Sequence, residues 1–133
     1  RVAALRMADQ DHSEAAITDA VTISAARAAQ ELRVRALLCI SARGFTVRSM
    51  ARFRPSAKIL GFSGSQATVR QLASSWGVTP VYFEGATAEY EERVRLAVLQ
   101  AKRERHVASG DLIGVVAGIS AASTDTFRLM RVP

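Results

Sequence analysis

Four short, continuous apolar runs, each followed by a stretch with helical spacing or a polar turn, constrain this chain more than any other feature. Ala36-Leu37-Leu38-Cys39-Ile40 is too short for a helix and too uniformly apolar for a strand with one wet face. Such a run reads as a strand buried on both sides. Ile59 to Ser63, Pro80 to Phe83 and Leu112 to Ala117 repeat the pattern. Between them lie segments of 3.6-residue periodicity. The spacing predicts a first helix over Ile17 to Leu32, capped by Thr18, with Ile17, Val21, Ala25, Ala28 and Leu32 on one stripe. A second is expected over Thr46 to Phe53, stopped by Arg54-Pro55. A third carries Val69, Leu72, Ala73 and Trp76 on one face before a Gly77 cap. The fourth runs from a Thr87 cap through Glu104, with Tyr90, Val94, Ala97, Val98 and Ala101 inward. Glu89, Glu91 and Glu92 beside Arg93 and Arg95 read as its solvated start.

The tail Thr126 to Val132 alternates imperfectly, as an edge strand does. This order predicts a three-layer α/β/α domain with a mostly parallel five-stranded sheet, because crossovers between buried strands are right-handed and parallel. The domain is expected over residues 16–133, with residues 1–15 as a connector or arm. At 133 residues and 49% hydrophobic composition the chain suits one globular core. A (β/α)₈ barrel, at about 250 residues, does not fit. The chain opens at Arg1 and its first methionine is Met7, which reads as a segment of a longer polypeptide.

The formal net charge is +6, with 16 Arg against 2 Lys. From Arg33 to Arg70 there are eight basic residues and no Asp or Glu. Such a stretch attracts anions, whether phosphorylated metabolites, nucleic acid or an acidic partner. A nucleic-acid role is disfavoured, since these residues fall on several elements without a recognised motif. No apolar run approaches the length of a membrane span, and the expected location is the cytoplasm. Cys39 alone permits no internal disulfide. Neither Walker-type loop nor spaced-glycine fingerprint is present. His12 and His106 lack partners at ligand spacing, so no metal site is expected. No nucleophile has a base within reach, and no catalytic residue is assigned.

Ligands of open α/β sheets sit beyond the carboxyl ends of strands. Three loops qualify. Ser41 to Thr46 offers hydroxyls at Ser41 and Thr46, Gly44 for close approach, Arg43 for charge, and N–H groups at a helix start. It reads equally as an ordinary strand-to-helix turn capped by Thr46. Ser63-Gly64-Ser65 reads better as a cap. Ser120 with Ser123, Thr124 and Asp125 either closes over the same space or forms a polar turn.

The ordered residues resemble the C-terminal domain of pyruvate kinase. The likeness runs from Ala16-Ile17-Thr18-Asp19-Ala20 through Ser41-Ala42-Arg43-Gly44-Phe45-Thr46 and Ala51-Arg52-Phe53-Arg54-Pro55. It continues in Gln71-Leu72, Trp76-Gly77-Val78, Pro80-Val81, Ser109-Gly110-Asp111-Leu112 and Ala117-Gly118, and ends in Ser123-Thr124-Asp125-Thr126. It implies a mixed five-stranded sheet within an enzyme that moves phosphate from phosphoenolpyruvate to ADP. Catalysis, with magnesium and potassium, then belongs to a separate barrel domain of the same parent chain. The segment itself would be inactive, serving homo-oligomer contacts and binding a phosphorylated sugar or nucleotide effector. By position, Ser41, Gly44 and Thr46 match the family's effector-phosphate loop, and Arg43, Ser123 and Thr124 complete the expected site. Three positions depart from the family's pattern. Arg43 replaces a small hydroxyl residue, the Gly118 to Ser123 loop is short, and Asp125 stands where asparagine is usual. These departures argue against fructose bisphosphate held in the family's common manner. The alternative function is a stand-alone phosphometabolite-binding module.

Overall fold

A computed structural model describes residues 12–119 and 123–133. Its elements run α1 (Glu14–Leu32), β1 (Ala36–Ile40), α2 (Phe45–Arg52), β2 (Lys58–Ser63), α3 (Gln66–Leu72), β3 (Val78–Tyr82), α4 (Tyr90–Arg103), β4 (Leu112–Ala117) and β5 (Thr126–Arg131). The sheet order is β3-β2-β1-β4-β5. β1 lies at its centre, parallel to β2 and β4, with Leu38 opposite both Leu60 and Val115. β5 alone is antiparallel, pairing Val116 with Phe127 and Ile113 with Met130. The mostly parallel sheet expected from the buried runs, mixed as the family resemblance implies, is the one formed. Pro80, which donates no backbone hydrogen bond, sits on edge strand β3.

Alternate strand residues feed two cores, as a pleated strand requires. Ala36, Leu38, Leu60, Phe62, Ile113 and Val115 pack against Val94, Ala97, Val98 and Ala101 of α4. Leu37, Cys39, Ile59 and Val116 pack against Ala25 and Ala29 of α1, Val47 and Met50 of α2, and Leu72 of α3. Gly61 lets α2 and α3 lie close to the sheet, because a Cβ there would come within 3.0 Å of Val47 and 3.1 Å of Leu72.

Several local expectations are corrected. α1 is capped by Ser13, whose Oγ accepts from the Ala16 N–H at 3.2 Å, so Thr18 lies inside the helix and Glu14 and Ala15 belong to it rather than to a connector. The rest of that connector, residues 1–11, lies outside the described residues. The buried face of α1 is Thr18, Thr22, Ala25 and Ala29. Ile17 and Leu32 are exposed. Small residues win the inner face because they allow closer helix-to-sheet packing, and the threonine hydroxyls find carbonyls: Thr22 donates to Thr18 O at 2.6 Å. α2 ends at Arg52, leaving Phe53 exposed, and α3 ends at Leu72, leaving Ala73 outside it and Trp76 62% exposed. Trp76 instead stacks under the Arg54 guanidinium, 4.8 Å from the ring centre. Thr87 caps nothing: α4 starts at Tyr90 after Glu89.

Candidate functional site: a hydroxyl-lined cradle at the strand ends

β1 ends at Ile40 and the chain passes through Ser41, Ala42 and Arg43 to Gly44, the residue that starts α2. Gly44 adopts φ +77°, a left-handed conformation that a glycine accepts without steric cost. Thr46 therefore does not cap the helix. It sits in the first turn, 2% exposed, and its Oγ1 is 2.8 Å from Thr124 Oγ1. The reading of Ser41 to Thr46 as a turn capped by Thr46 falls with that geometry. The Thr18 hydroxyl donates to Thr124 O at 3.2 Å, fastening α1 to the segment before β5.

These contacts bring five of the six residues expected of the site onto one cavity. Ser41, Arg43, Thr46, Ser123 and Thr124 line one cavity of about 510 Å³, and Gly44 forms its turn. Glu14, Ala15 and Thr18 from the start of α1, and Phe45 from the start of α2, complete the walls. Two helix N-termini thus open onto the same space, each with first-turn N–H groups that have no acceptor within the helix. Ser41 is only 8% exposed, and its hydroxyl has no hydrogen-bond partner among the described residues. A hydroxyl on the cavity wall with no partner of its own can donate to or accept from whatever occupies the space.

Sequence reasoning missed Arg93. Placed on the solvated start of α4, it is in fact 2% exposed and reaches under the strand ends. Its Nη2 donates to Gly118 O and, at 3.3 Å, to Ile119 O, while its Nε is buried with no partner. The guanidinium lines a second, smaller space of about 50 Å³ together with Ser41, Ala42, Ser63 and Gly64. The two cavities share Ile40, Ser41 and Ala42, so Arg93 presents positive charge behind the same loop. Helical spacing carried a signal: Arg93 falls one position before Val94 and four before Ala97, on the edge of the inward face. The solvated reading holds for its neighbours. Glu92 pairs with Arg95 at 2.5 Å and Glu91 with Arg128 at 2.7 Å, both at the surface.

The other loops resolve differently. Ser65 caps α3, its Oγ accepting from the Thr68 N–H at 3.2 Å, as expected. Ser63 donates to Ala42 O at 2.9 Å and Thr68 to the same oxygen at 3.1 Å, which fixes the back of the Ser41–Gly44 turn. Asp125 turns away from the cradle, its Oδ1 accepting from the Ile119 N–H at 3.0 Å. Ser120 lies outside the described residues. The eight basic residues from Arg33 to Arg70 are all exposed and spread over several elements, and of these eight only Arg43 lines the cradle. His106 is 3.6 Å from Glu104, and no group of three or more His, Cys, Asp or Glu gathers to hold a metal among the described residues. Cys39 is buried, and desolvation pushes its thiol up to about 12. No helix among them is long and apolar enough to cross a membrane.

An open α/β sheet with a polar cavity at its strand ends, walled by helix N-termini and serine and threonine hydroxyls, defines a small α/β domain. The chain belongs to the pyruvate kinase alpha/beta domain family, whose pattern matches residues 19–132. It is similar to pyruvate kinases of Staphylococcus aureus and Staphylococcus epidermidis, at 32% identity over 119 residues, 90% of this chain and 20% of theirs. It spans about a fifth of the length of those relatives. In structure it resembles a pyruvate kinase from Cryptosporidium parvum, with a TM-score of 0.77 at 24% identity, over 88% of this chain and 23% of that one. A second Cryptosporidium parvum pyruvate kinase structure gives 0.75 at 23% identity, over 88% of this chain and 22% of that one.

Proposed function

We propose that this chain is the regulatory and assembly domain of a cytoplasmic pyruvate kinase, with a phosphorylated effector held at Ser41, Arg43, Gly44, Thr46, Ser123 and Thr124. The transfer of phosphate from phosphoenolpyruvate to ADP, and the magnesium and potassium it uses, would belong to a barrel domain elsewhere in the parent polypeptide. The observation that carries the reading is the cradle itself, in which three separated segments meet around Ser41, whose hydroxyl has no hydrogen-bond partner among the described residues. A phosphate there would accept from the first-turn N–H groups of α2, from Ser41 and from Arg43, all groups with capacity to donate. Self-association is supported by the unpaired outer edge of β5, where Leu129 is exposed.

The test is saturable binding of phosphorylated sugars and nucleotides to the full-length protein, by calorimetry. Arg43→Gln with Thr46→Val is expected to weaken the best ligand roughly a hundredfold, by loss of one charged and one neutral contact. Absence of saturable binding, or binding unchanged in that double variant, removes the effector reading. A natural chain of about this length, binding such a ligand but with no associated kinase, would make the domain a stand-alone phosphometabolite-binding module.

A further inference from the structure

The end of the sheet opposite the cradle is basic. Arg35 stands immediately before β1 and Asp111 immediately before β4, two parallel neighbours. With Lys102, Arg105, His106 and Ser109 they line an open groove of about 540 Å³ at the amino ends of the strands. The groove is one five-residue strand, about 16 Å, away from the Ser41 loop. Three fixed cations, Arg35, Lys102 and Arg105, share it with one carboxylate, and that carboxylate is already bonded: Asp111 Oδ2 accepts from the Ala108 N–H at 2.8 Å. Lys102 donates one of its protons to Pro133 O at 3.0 Å, and Ser109 donates to the same oxygen at 2.9 Å. The guanidinium groups of Arg35 and Arg105 have neither an ion pair nor a hydrogen-bond partner among the described residues.

Lys102 and Arg103 are accounted for by the last turn of α4, where cations offset the negative end of the helix dipole. Arg105 carries a cost that they do not. The His106 N–H donates to Ala101 O at 2.9 Å and the Arg105 N–H to Lys102 O at 3.0 Å, the paired bonds of a Schellman turn whose left-handed residue is usually glycine. Arg105 fills that position at φ +66°, a conformation unfavourable for a residue with a Cβ, and so sets a guanidinium on the groove wall. Arg35 lies on no helix. We propose that this groove binds a polyphosphate chain. Its cations come from three segments, the bend before β1, the last turn of α4 and the turn after it, so the charge runs along the groove and matches an extended anion better than a single phosphate. Two free guanidinium forks suit the non-bridging oxygens of successive phosphates. The one ring on the wall, His106, is partly buried and 3.6 Å from Glu104, which leaves no open face for a base to stack on. The chain itself is therefore what the groove recognises, whether free or as the tail of a nucleoside triphosphate.

The experiment titrates the full-length protein with tripolyphosphate, orthophosphate and ATP, without divalent cations, and locates each ligand by amide hydrogen exchange. Tripolyphosphate is expected to protect residues 102–111, to bind there roughly tenfold tighter than orthophosphate, and to weaken as salt is raised. Arg35→Gln and Arg105→Gly should each weaken binding at this groove roughly tenfold. Arg105→Gly should leave Tm unchanged or raise it, since glycine accepts φ +66°, so its loss of binding is not a loss of fold. ATP that protects the same residues as tightly as tripolyphosphate, with the same dependence on Arg35, supports the proposal with the nucleotide tail as the source. ATP that leaves them unprotected supports it with the free chain as the source. Tripolyphosphate binding unchanged in both variants, protection confined to other segments, or orthophosphate bound as tightly at residues 102–111 overturns the proposal. The outcome is separate from the effector reading, because protection of residues 102–111 should persist in the Arg43→Gln, Thr46→Val variant.

Discussion

Gly44 decides whether the cradle exists. At φ +77° a side chain is strained, and a Cβ would come within 2.9 Å of the Arg48 Nη1, 3.0 Å of Leu72 Cδ2 and 3.1 Å of Thr68 Cγ2. Gly44→Ala is therefore expected to cost about 1–2 kcal/mol in urea unfolding and to displace the Ser41–Thr46 turn. A loss below about 0.5 kcal/mol, within the range of ordinary surface substitutions, would show that the turn relaxes without cost. Cys39 makes a different prediction. Burial raises its thiol from 9.0 to about 12 in the folded chain, so the native state holds that proton where the unfolded state releases it. The contribution is fully present below pH 9 and lost as pH rises toward 12. The native thiol should stay unreactive toward a disulfide reagent at pH 8, reacting only on unfolding. Cys39→Ala should flatten the decline in stability above pH 9. The apolar run Ala36 to Ile40 marked Cys39 as buried, whereas burial of Arg93 depended on which side of α4 turned inward.

At the scale of elements, capping separates what local chemistry can and cannot disclose. Ser65 sits three residues before a free N–H that its hydroxyl accepts, and Ser65→Ala should cost about 1 kcal/mol through α3. Thr87→Ala should be neutral within about 0.5 kcal/mol, because α4 begins three residues later and Thr87 donates to no described residue. Paired thermal melts distinguish the two, and equal losses would contradict the observed helix starts. Strands were legible because a strand buried on both faces must be apolar throughout. Helix faces were less so. α1 turns Thr18 and Thr22 inward and leaves Ile17 exposed while Val21 packs at the core's margin, since packing distance outweighs the transfer energy of one larger side chain when the hydroxyls are bonded within the helix or to Thr124.

For the whole molecule, the sheet has two edges, and β5 forms one of them, with Leu129 exposed on it and Arg128 and Met130 lining an open groove of about 520 Å³ against α4. The proposed self-association predicts that Leu129→Lys on this edge lowers the oligomeric state of the full-length protein in sedimentation velocity, leaving the far-ultraviolet circular dichroism unchanged. An unaltered sedimentation coefficient would place the contact elsewhere. The amino-acid sequence by itself determined the strand order along the chain, the fold class and the Ser41 to Thr46 loop, because apolar runs, glycines and hydroxyls act over a few residues and leave a local pattern. Only the tertiary structure decided that Thr124 would meet Thr46 and Thr18, that Glu14 and Arg43 would line one cavity, and that Arg93 would be drawn beneath the loop. Those meetings join residues up to 106 positions apart, as Thr18 and Thr124 are, and they follow from how the helices settle on the sheet. No spacing in the chain encodes that distance, since it is set by the collective packing of the two cores.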